Sequence, residues 1–241
     1  MPSISLIVIL LLLLPACYST IYFKKLTLPA AILAGFVGFS IYLGAGLTGL
    51  SLLAAFFVLG TLATTWKHSY KQTEGLAERS ATRRNAGQVF ANGGVAALAA
   101  IAAYFLPEYT YPFQIIIASS LSAATADTLS SELGTLYGKR FYNILSFKND
   151  KRGLDGVVSL EGFLIGIIGS AIIASIFMIG YSWSAAFFAI IIAGTIGNIT
   201  DSLLGAALER RGIIKNDTVN FLNTLVGGLF GYLLLKLFIT V

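Results

Sequence analysis

Apolar stretches of about twenty residues recur along almost the whole chain, and this feature limits the possible folds more than any other. A stretch of that length matches a helix that crosses the hydrocarbon core of a bilayer, which is roughly 30 Å thick. Charged residues make up only 11% of the 241 residues, compared with about 25% in a typical soluble domain. The sequence therefore predicts an all-α, polytopic membrane protein with a single transmembrane domain over residues 1–241.

Charged residues, proline and glycine divide the apolar stretches into eight predicted transmembrane helices. The stretch 28–66 is too long for one crossing at about 1.5 Å per residue, and the segment Gly44-Ala45-Gly46 predicts a bend between two helices. No lysine or arginine precedes Lys24, so the first stretch is expected to be a retained helix rather than a signal peptide. The predicted helices are 3–22, 28–45, 48–66, 86–106, 112–136, 157–180, 183–208 and 218–239.

The positions of the basic residues predict how these helices are oriented. Of the 16 lysines and arginines, 15 fall in the first, third, fifth and seventh connections, and Lys236 is the exception. Basic connections stay on the cytosolic side of a membrane, so both termini are predicted outside and the odd-numbered connections in the cytosol. The 15 residues are Lys24, Lys25, Lys67, Lys71, Arg79, Arg83, Arg84, Lys139, Arg140, Lys148, Lys151, Arg152, Arg210, Arg211 and Lys215.

Composition also excludes several classes of function. The formal net charge of +5 is explained by membrane topology, so nucleic-acid binding is not expected. A single cysteine and a single histidine exclude an internal disulfide and a zinc site built from Cys and His.

Two pairs of short motifs form a weak internal repeat. The segment 126–129 (ADTL) resembles 200–203 (TDSL), and 85–94 (NAGQVFANGG) resembles 220–228 (NFLNTLVGG). If the repeat is real, the chain contains two related helix pairs, and membrane proteins often form a site at such an interface. Chance similarity between motifs this short is the alternative.

Three acidic residues stand out inside predicted helices, where an ionised side chain at the helix centre costs roughly 2.5–3.5 kcal/mol. Asp127 and Glu132 belong to the fifth predicted helix and Asp201 to the seventh, all in the cytosolic half. Asp127 and Glu132 do not share a face of a regular helix, so both reach one site only if the helix loosens before Gly134 or the site straddles the helix end. Hydrogen bonding to neighbouring small polar residues is the structural alternative to a functional site. Three asparagines that enter the same layer are expected to bind substrate phosphate, by positioning phosphate oxygens or metal-bound water, with interhelical amide bonds as the structural alternative: Asn92, Asn220 and Asn223.

The fifth connection, KRFYNILSFKNDKRGLDGVVSLEG at 139–162, combines basic residues with glycines that lead into a helix. Unpaired N–H groups at a helix start favour anions such as phosphate, although the GxxxxGK[ST] phosphate loop is absent and a plain turn is the alternative. Carboxylates near such a loop indicate Mg²⁺-assisted phosphoryl or nucleotidyl transfer. The third connection adds Arg83 and Arg84 on the same predicted cytosolic side. The candidates for phosphate binding on that side are Arg83, Arg84, Lys148, Lys151, Arg152, Gly156, Ser159 and Glu161.

Five motifs, in order, resemble an integral-membrane family that includes plant and cyanobacterial phytyl-phosphate kinase. The match covers roughly residues 83–230, whereas the three helices within 1–66 carry no family motif. Val158 departs from the pattern, since glycine or alanine is expected there. The motifs are RNAGQVFANGGVAAL, SAATADTLSSELG, GLDGVVSLEG, TDSLLGAALERRG and VNFLNTLVGG.

This resemblance implies a relative of the CTP-dependent phytol and dolichol kinases, which phosphorylate membrane isoprenoids. The expected reaction converts a prenyl monophosphate, such as phytyl phosphate, to the diphosphate with a nucleoside triphosphate, CTP, and Mg²⁺. Asp127, Glu132 and Asp201 are the expected catalytic and metal-binding residues. The positions that match family motifs are Asn92, Asp127, Glu132, Gly156, Ser159, Glu161, Asp201, Asn220 and Asn223.

Two other functions fit part of the sequence. A cation- or proton-coupled transporter would also use intramembrane acids, but it has no need of a glycine-rich, basic fifth connection. A membrane scaffold predicts that isosteric changes at the acids leave activity intact.

Overall fold

The computed structural model describes residues 6–75 and 83–239, and helices dominate it. Arg79 and residues 3–5 of the first predicted helix lie outside the described residues. Two short strands, β1 (Tyr142–Asn143) and β2 (Val157–Val158), pair antiparallel in the fifth connection. The helices are α1 (Leu6–Tyr22), α2 (Leu28–Thr65), α3 (His68–Thr73), α4 (Ala86–Phe105), α5 (Thr110–Tyr137), α6 (Leu160–Tyr181), α7 (Ala186–Leu204) and α8 (Asn216–Ile239), with a 3-10 turn at Pro107–Tyr109 and a π-turn at Gly205–Glu209.

The predicted helices all coincide with helical segments, and α2 supplies two of them. Among the described residues, five helices are long and apolar enough to cross a membrane: α2, α4, α6, α7 together with its π-turn, and α8. The prediction of an all-α, polytopic membrane protein is thus confirmed. Eight crossings and termini on the outside stay predictions.

Helix α2 folds back on itself at Gly46, where φ is 60° and ψ is −151°. A side chain rarely adopts this backbone conformation, whereas glycine adopts it readily. Gly38 in the first arm packs beside Leu50 in the second, although a straight helix would separate them by about 18 Å. The bend predicted at 44–46 is confirmed, and it is a reversal that packs the arms 28–45 and 47–65 together.

The reversal leaves backbone carbonyl groups without partners inside α2, and other helices supply these partners. Gln114 Nε2 donates a hydrogen bond to the Gly44 carbonyl oxygen at 3.3 Å. The Tyr181 hydroxyl donates to the Ala45 carbonyl oxygen at 2.9 Å. These two bonds attach the hairpin to α5 and α6.

Helix α5 lies at the centre of the bundle and packs against α2, α4, α6, α7 and α8. Its residues from Gln114 to Ala126 are buried almost without interruption, including Ser119, Ser120 and Ser122. Because neighbouring helices cover α5, it needs no apolar surface toward lipid, and small polar residues allow helices to approach closely. This burial explains why α5 is more polar than the five apolar helices.

The first, third, fifth and seventh connections meet at one end of the bundle, which we call the basic end. Thr27 N donates to the Arg84 carbonyl oxygen at 3.0 Å, which joins the first connection to the third. A salt bridge between Glu74 and Arg152 joins the third connection to the fifth. The described basic residues of these connections therefore concentrate at one end, as the alternating charge pattern predicts.

A salt bridge between Arg210 and Asp150, at 2.6 Å, joins the fifth connection to the seventh. The hydrogen bond from the Arg210 guanidinium lowers the pKa of Asp150 to about 2. The Asp150 carboxylate thus stays ionised, and the pair stays formed, as pH falls until it approaches that value.

Replacement of Gly46 by alanine should destabilise the hairpin, because a Cβ atom is strained at this φ and ψ. We expect a loss of about 1–3 kcal/mol in unfolding free energy, seen as a lower Tm in detergent micelles. Gly35→Ala is the matched control, since Gly35 lies in the first arm without a positive φ. An equal Tm for both variants would contradict the assignment of strain to Gly46.

Candidate active site

Helices α5 and α7 run parallel and touch through small residues. Ser122 of α5 lies beside Gly194, and Ala123 lies beside Gly197 of α7. A Cβ atom at either glycine would overlap its neighbour on α5, so the two backbones are as close as these side chains permit. The contact fixes the register of the two helices.

Asp127 and Asp201 each lie one turn beyond this contact, so the two carboxylates occupy the same level of the bundle. Helix α8 runs antiparallel to α5, and its Gly227 also lies against Ala123. One turn before Gly227, Asn223 donates from Nδ2 to Asp201 Oδ1 at 2.9 Å. Three helices therefore place an aspartate or an asparagine in one layer.

Two asparagines of this layer each bury a side-chain oxygen without a hydrogen-bond partner in the part of the chain that is described: Asn92 Oδ1 and Asn223 Oδ1. Asn92 Nδ2 donates to a carbonyl of its own helix at 2.9 Å, so its oxygen points elsewhere. Thr224 donates to the Ala91 carbonyl oxygen at 3.2 Å, which holds α8 and α4 together beside both amides. A buried oxygen needs a donor or a cation, so these atoms do not suit a phosphate oxygen. Asn220, one turn nearer the start of α8, is also buried.

Glu132 has a different partner from the aspartates. Its carboxylate forms a salt bridge with Lys71 of α3, and the Lys71 side chain is only 2% exposed. Lys71 Nζ also donates to the Ala63 carbonyl oxygen at 2.8 Å. For the basic residues of the third connection the sequence leaves topology and phosphate contact open, and nothing local distinguishes Lys71 from its neighbours, so its contact with Glu132 is not predicted.

Helix α5 continues without a break to Tyr137, so the loosening considered before Gly134 does not occur. Glu132 therefore faces a different neighbour from Asp127, as the regular helix predicts. Across the described ranges, no group of three or more His, Cys, Asp or Glu residues lies close enough to hold a metal ion. Any metal in this layer has Asp127 and Asp201 as its acidic candidates, without Glu132.

Three residues of the fifth connection that were predicted to bind phosphate have partners within the protein. Ser159 caps α6 by accepting a hydrogen bond from a first-turn N–H group at 3.1 Å. Glu161 accepts from Lys139 N at 3.3 Å. Gly156 has a φ of 72° and lies so close to Ala206 that a side chain would clash. These residues therefore join α5, α6 and the end of α7.

The arginines predicted to bind phosphate also make contacts within the fold. Arg83 Nε donates to the Leu26 carbonyl oxygen at 2.7 Å. The Arg84 guanidinium lies 5.4 Å from the centre of the Phe56 ring. Arg152 forms the salt bridge with the third connection that was described above. The remaining basic candidates, Lys148 and Lys151, are exposed.

Replacement of Lys71 by methionine should leave the Glu132 carboxylate, which is only 15% exposed, without its partner. We expect a loss of about 3–5 kcal/mol in stability, measured by unfolding in detergent. The double variant Lys71→Met/Glu132→Gln should recover most of the lost stability, because the Glu132 position then carries no charge that lacks a partner. Arg152→Met, which breaks an exposed pair, should cost at most about 1 kcal/mol. A double variant as unstable as Lys71→Met alone would contradict this account.

Comparison with known proteins identifies relatives over most of the chain. The family model described as Integral membrane protein DUF92 matches residues 10–228. An uncharacterized membrane protein of Methanocaldococcus jannaschii is 36% identical over 202 residues, which are 82% of this chain and 81% of that protein. Protein VTE6, chloroplastic, of Arabidopsis thaliana is 32% identical over 212 residues, 85% of this chain and 63% of that protein.

An uncharacterized membrane protein of Synechocystis sp. is 32% identical over 200 residues, 79% of this chain and 75% of that protein. No solved structure matches the chain. These relatives confirm the resemblance to an integral-membrane family with plant and cyanobacterial members. The chain belongs to the DUF92 family of integral membrane proteins.

Proposed function

We propose that this protein is a membrane kinase that transfers the terminal phosphoryl group of a nucleoside triphosphate to a prenyl monophosphate. One observation carries the proposal: Asp127 and Asp201 share a layer with the unpaired amide oxygens of Asn92 and Asn223. The basic end attracts anionic substrates, and a bundle within the membrane is accessible to a lipid acceptor. The resemblance to a family that includes phytyl-phosphate kinase supports an isoprenoid as that lipid.

The proposed reaction forms one phosphorus–oxygen bond and breaks another. An oxygen of the acceptor monophosphate attacks the γ-phosphorus of the nucleotide, and the bond from the γ-phosphorus to the β–γ bridging oxygen breaks. The products are a prenyl diphosphate and a nucleoside diphosphate. The acceptor is already an anion, so the protein needs no strong base, and it contributes mainly by positioning the substrates and neutralising their charge.

The residues of the layer fit a magnesium ion. Mg²⁺ is usually held by one or two carboxylates together with substrate phosphates and water, which matches Asp127 and Asp201. The unpaired oxygens of Asn92 and Asn223 add acceptors that suit the ion or its water. Mg²⁺, when bound, neutralises charge on the phosphoryl group during transfer. Asn223 also orients Asp201 through its hydrogen bond.

We assign the nucleotide to the basic end. Lys148 and Lys151 are exposed there and can reach phosphate groups, while Arg83 and Arg84 lie beside the start of α4. The nucleotide expected from the family resemblance is CTP. In this account the residues Gly156, Ser159 and Glu161 support the entrance by packing and capping rather than by contacting phosphate.

A second candidate function, a cation- or proton-coupled transporter, is favoured by a different observation. The hydroxyl groups of Ser119, Ser120 and Ser170 are fully buried and have no partner among the described residues. Ser119 and Ser120 lie about two turns from Asp127 on the side away from the basic end, so they extend a polar route toward the opposite end. In a transporter, Asp127 and Asp201 would form the coupling site.

The kinase is tested by transfer of labelled γ-phosphate from CTP or ATP to a panel of prenyl monophosphates. We expect Mg²⁺-dependent formation of the diphosphate by purified protein, and a rate about 100-fold lower for Asp127→Asn and Asp201→Asn. The carboxylates neutralise charge that develops during transfer, so an isosteric amide should not replace them.

Glu108→Gln is the matched control, since Glu108 is an exposed acid in the 3-10 turn outside the layer. It should retain full activity, and all variants should elute and melt as folded protein. Absence of transfer to every acceptor, together with ion uptake into vesicles that requires Asp127, would replace the kinase by the transporter.

A further inference from the structure

A cleft of about 480 Å³ opens beside the candidate active site, between α5, α6, α7 and the β1–β2 strand pair. Phe147 and Leu160 lie at the rim of the cleft, and they are 79% and 68% exposed, respectively. Phe163 and Ile199 form apolar walls deeper in the cleft. None of the residues that line it is ionisable at neutral pH, so the cleft does not suit the phosphates of a nucleotide.

The lining of this cleft includes the side-chain amide of Asn198. Asn198 of α7 is only 4% exposed, lines the cleft, and has no side-chain hydrogen bond to any described residue. Gly166 of α6 makes room for this amide, because a Cβ atom there would lie 2.7 Å from Asn198 Nδ2. Because Asn198 lines the cleft, a polar group of a ligand, or water, can supply a hydrogen-bond partner for this amide.

The inner part of the cleft is close to the aspartates along both helices. Ser202, which lines the cleft, directly follows Asp201 on α7. Ser130, which also lines the cleft, lies about one turn beyond Asp127 on α5. A ligand that fills the cleft with an apolar chain therefore brings its polar end to the level of the candidate active site.

We propose that this cleft binds the isoprenoid chain of the acceptor lipid and directs its phosphate end toward Asp127 and Asp201. The chain enters past the exposed apolar rim at Phe147 and Leu160, and Asn198 pairs with the polar end or its water. The identity of the chain as part of a phosphorylated acceptor rests on the proposed kinase function. The volume falls within the usual range for small-ligand pockets, about 300–1,000 Å³, and suits a single-chain lipid.

The test uses a prenyl monophosphate with a diazirine in its chain, added to the full-length protein in detergent micelles. After irradiation, mass spectrometry should locate the label on the strand pair and on the start of α6 or the end of α7. Excess unlabelled prenyl monophosphate should remove the labelling, whereas a phosphatidate with two acyl chains should not. Labelling elsewhere, or equal competition by phosphatidate, would overturn the proposal.

Variants that change the cleft provide a second readout. Ile199→Trp fills the cleft, and it should lower labelling and raise KM for long prenyl monophosphates by about tenfold, with KM for the nucleotide unchanged. Ile192→Trp is the matched control, since Ile192 is an exposed residue of α7 outside the cleft. Phe147→Ala, which removes an exposed apolar ring from the rim, should also weaken labelling.

These experiments distinguish failure of the cleft proposal from failure of the kinase proposal. Labelling of the cleft without any phosphoryl transfer supports the cleft and rejects the kinase. Phosphoryl transfer that Ile199→Trp and Phe147→Ala leave unchanged, with no label in the cleft, rejects the cleft and keeps the kinase.

Discussion

Close contact between small residues around α5 determines where the polar side chains of this protein meet. Ala123 faces a glycine on α7 and another on α8, and neither glycine has room for a side chain. Inside a membrane, packing and hydrogen bonds rather than burial from water hold helices together, so such contacts set the helix register. One turn from this contact, the three helices bring Asp127, Asp201 and Asn223 to one level.

Most polar groups in the bundle are paired, and the exceptions mark the layer and its surroundings. Lys71 neutralises Glu132, and the carbonyl groups freed at the reversal of α2 accept hydrogen bonds from other helices. Asn92 and Asn223 instead keep a buried oxygen without a donor. Because unsatisfied buried groups are rare in folded proteins, these two oxygens support the proposal of a cation or water in this layer. The acids thus divide into a structural ion pair and the two aspartates that we propose as metal ligands.

The helices and the turn at Gly46 could be predicted because they follow from local properties, namely the length of apolar stretches and the freedom of glycine. The partner of Glu132 could not be predicted. Lys71 resembles any topological lysine until α3 folds back and buries it. Similarly, Gly156 and Ser159 form a pattern typical of an anion site, but α7 fills the space and the hydroxyl caps the helix. The roles of these residues depend on tertiary contacts, which cannot be inferred from a single sequence.

The central claim is that Asp127 and Asp201 together hold a divalent cation, and Mn²⁺ binding followed by electron paramagnetic resonance tests it most directly. The purified protein should bind Mn²⁺ saturably, and Mg²⁺ should compete. Asp127→Asn and Asp201→Asn should each weaken the affinity at least about tenfold, whereas Glu108→Gln should not change it. Equal Mn²⁺ affinity in the wild-type protein and both aspartate variants would contradict the account.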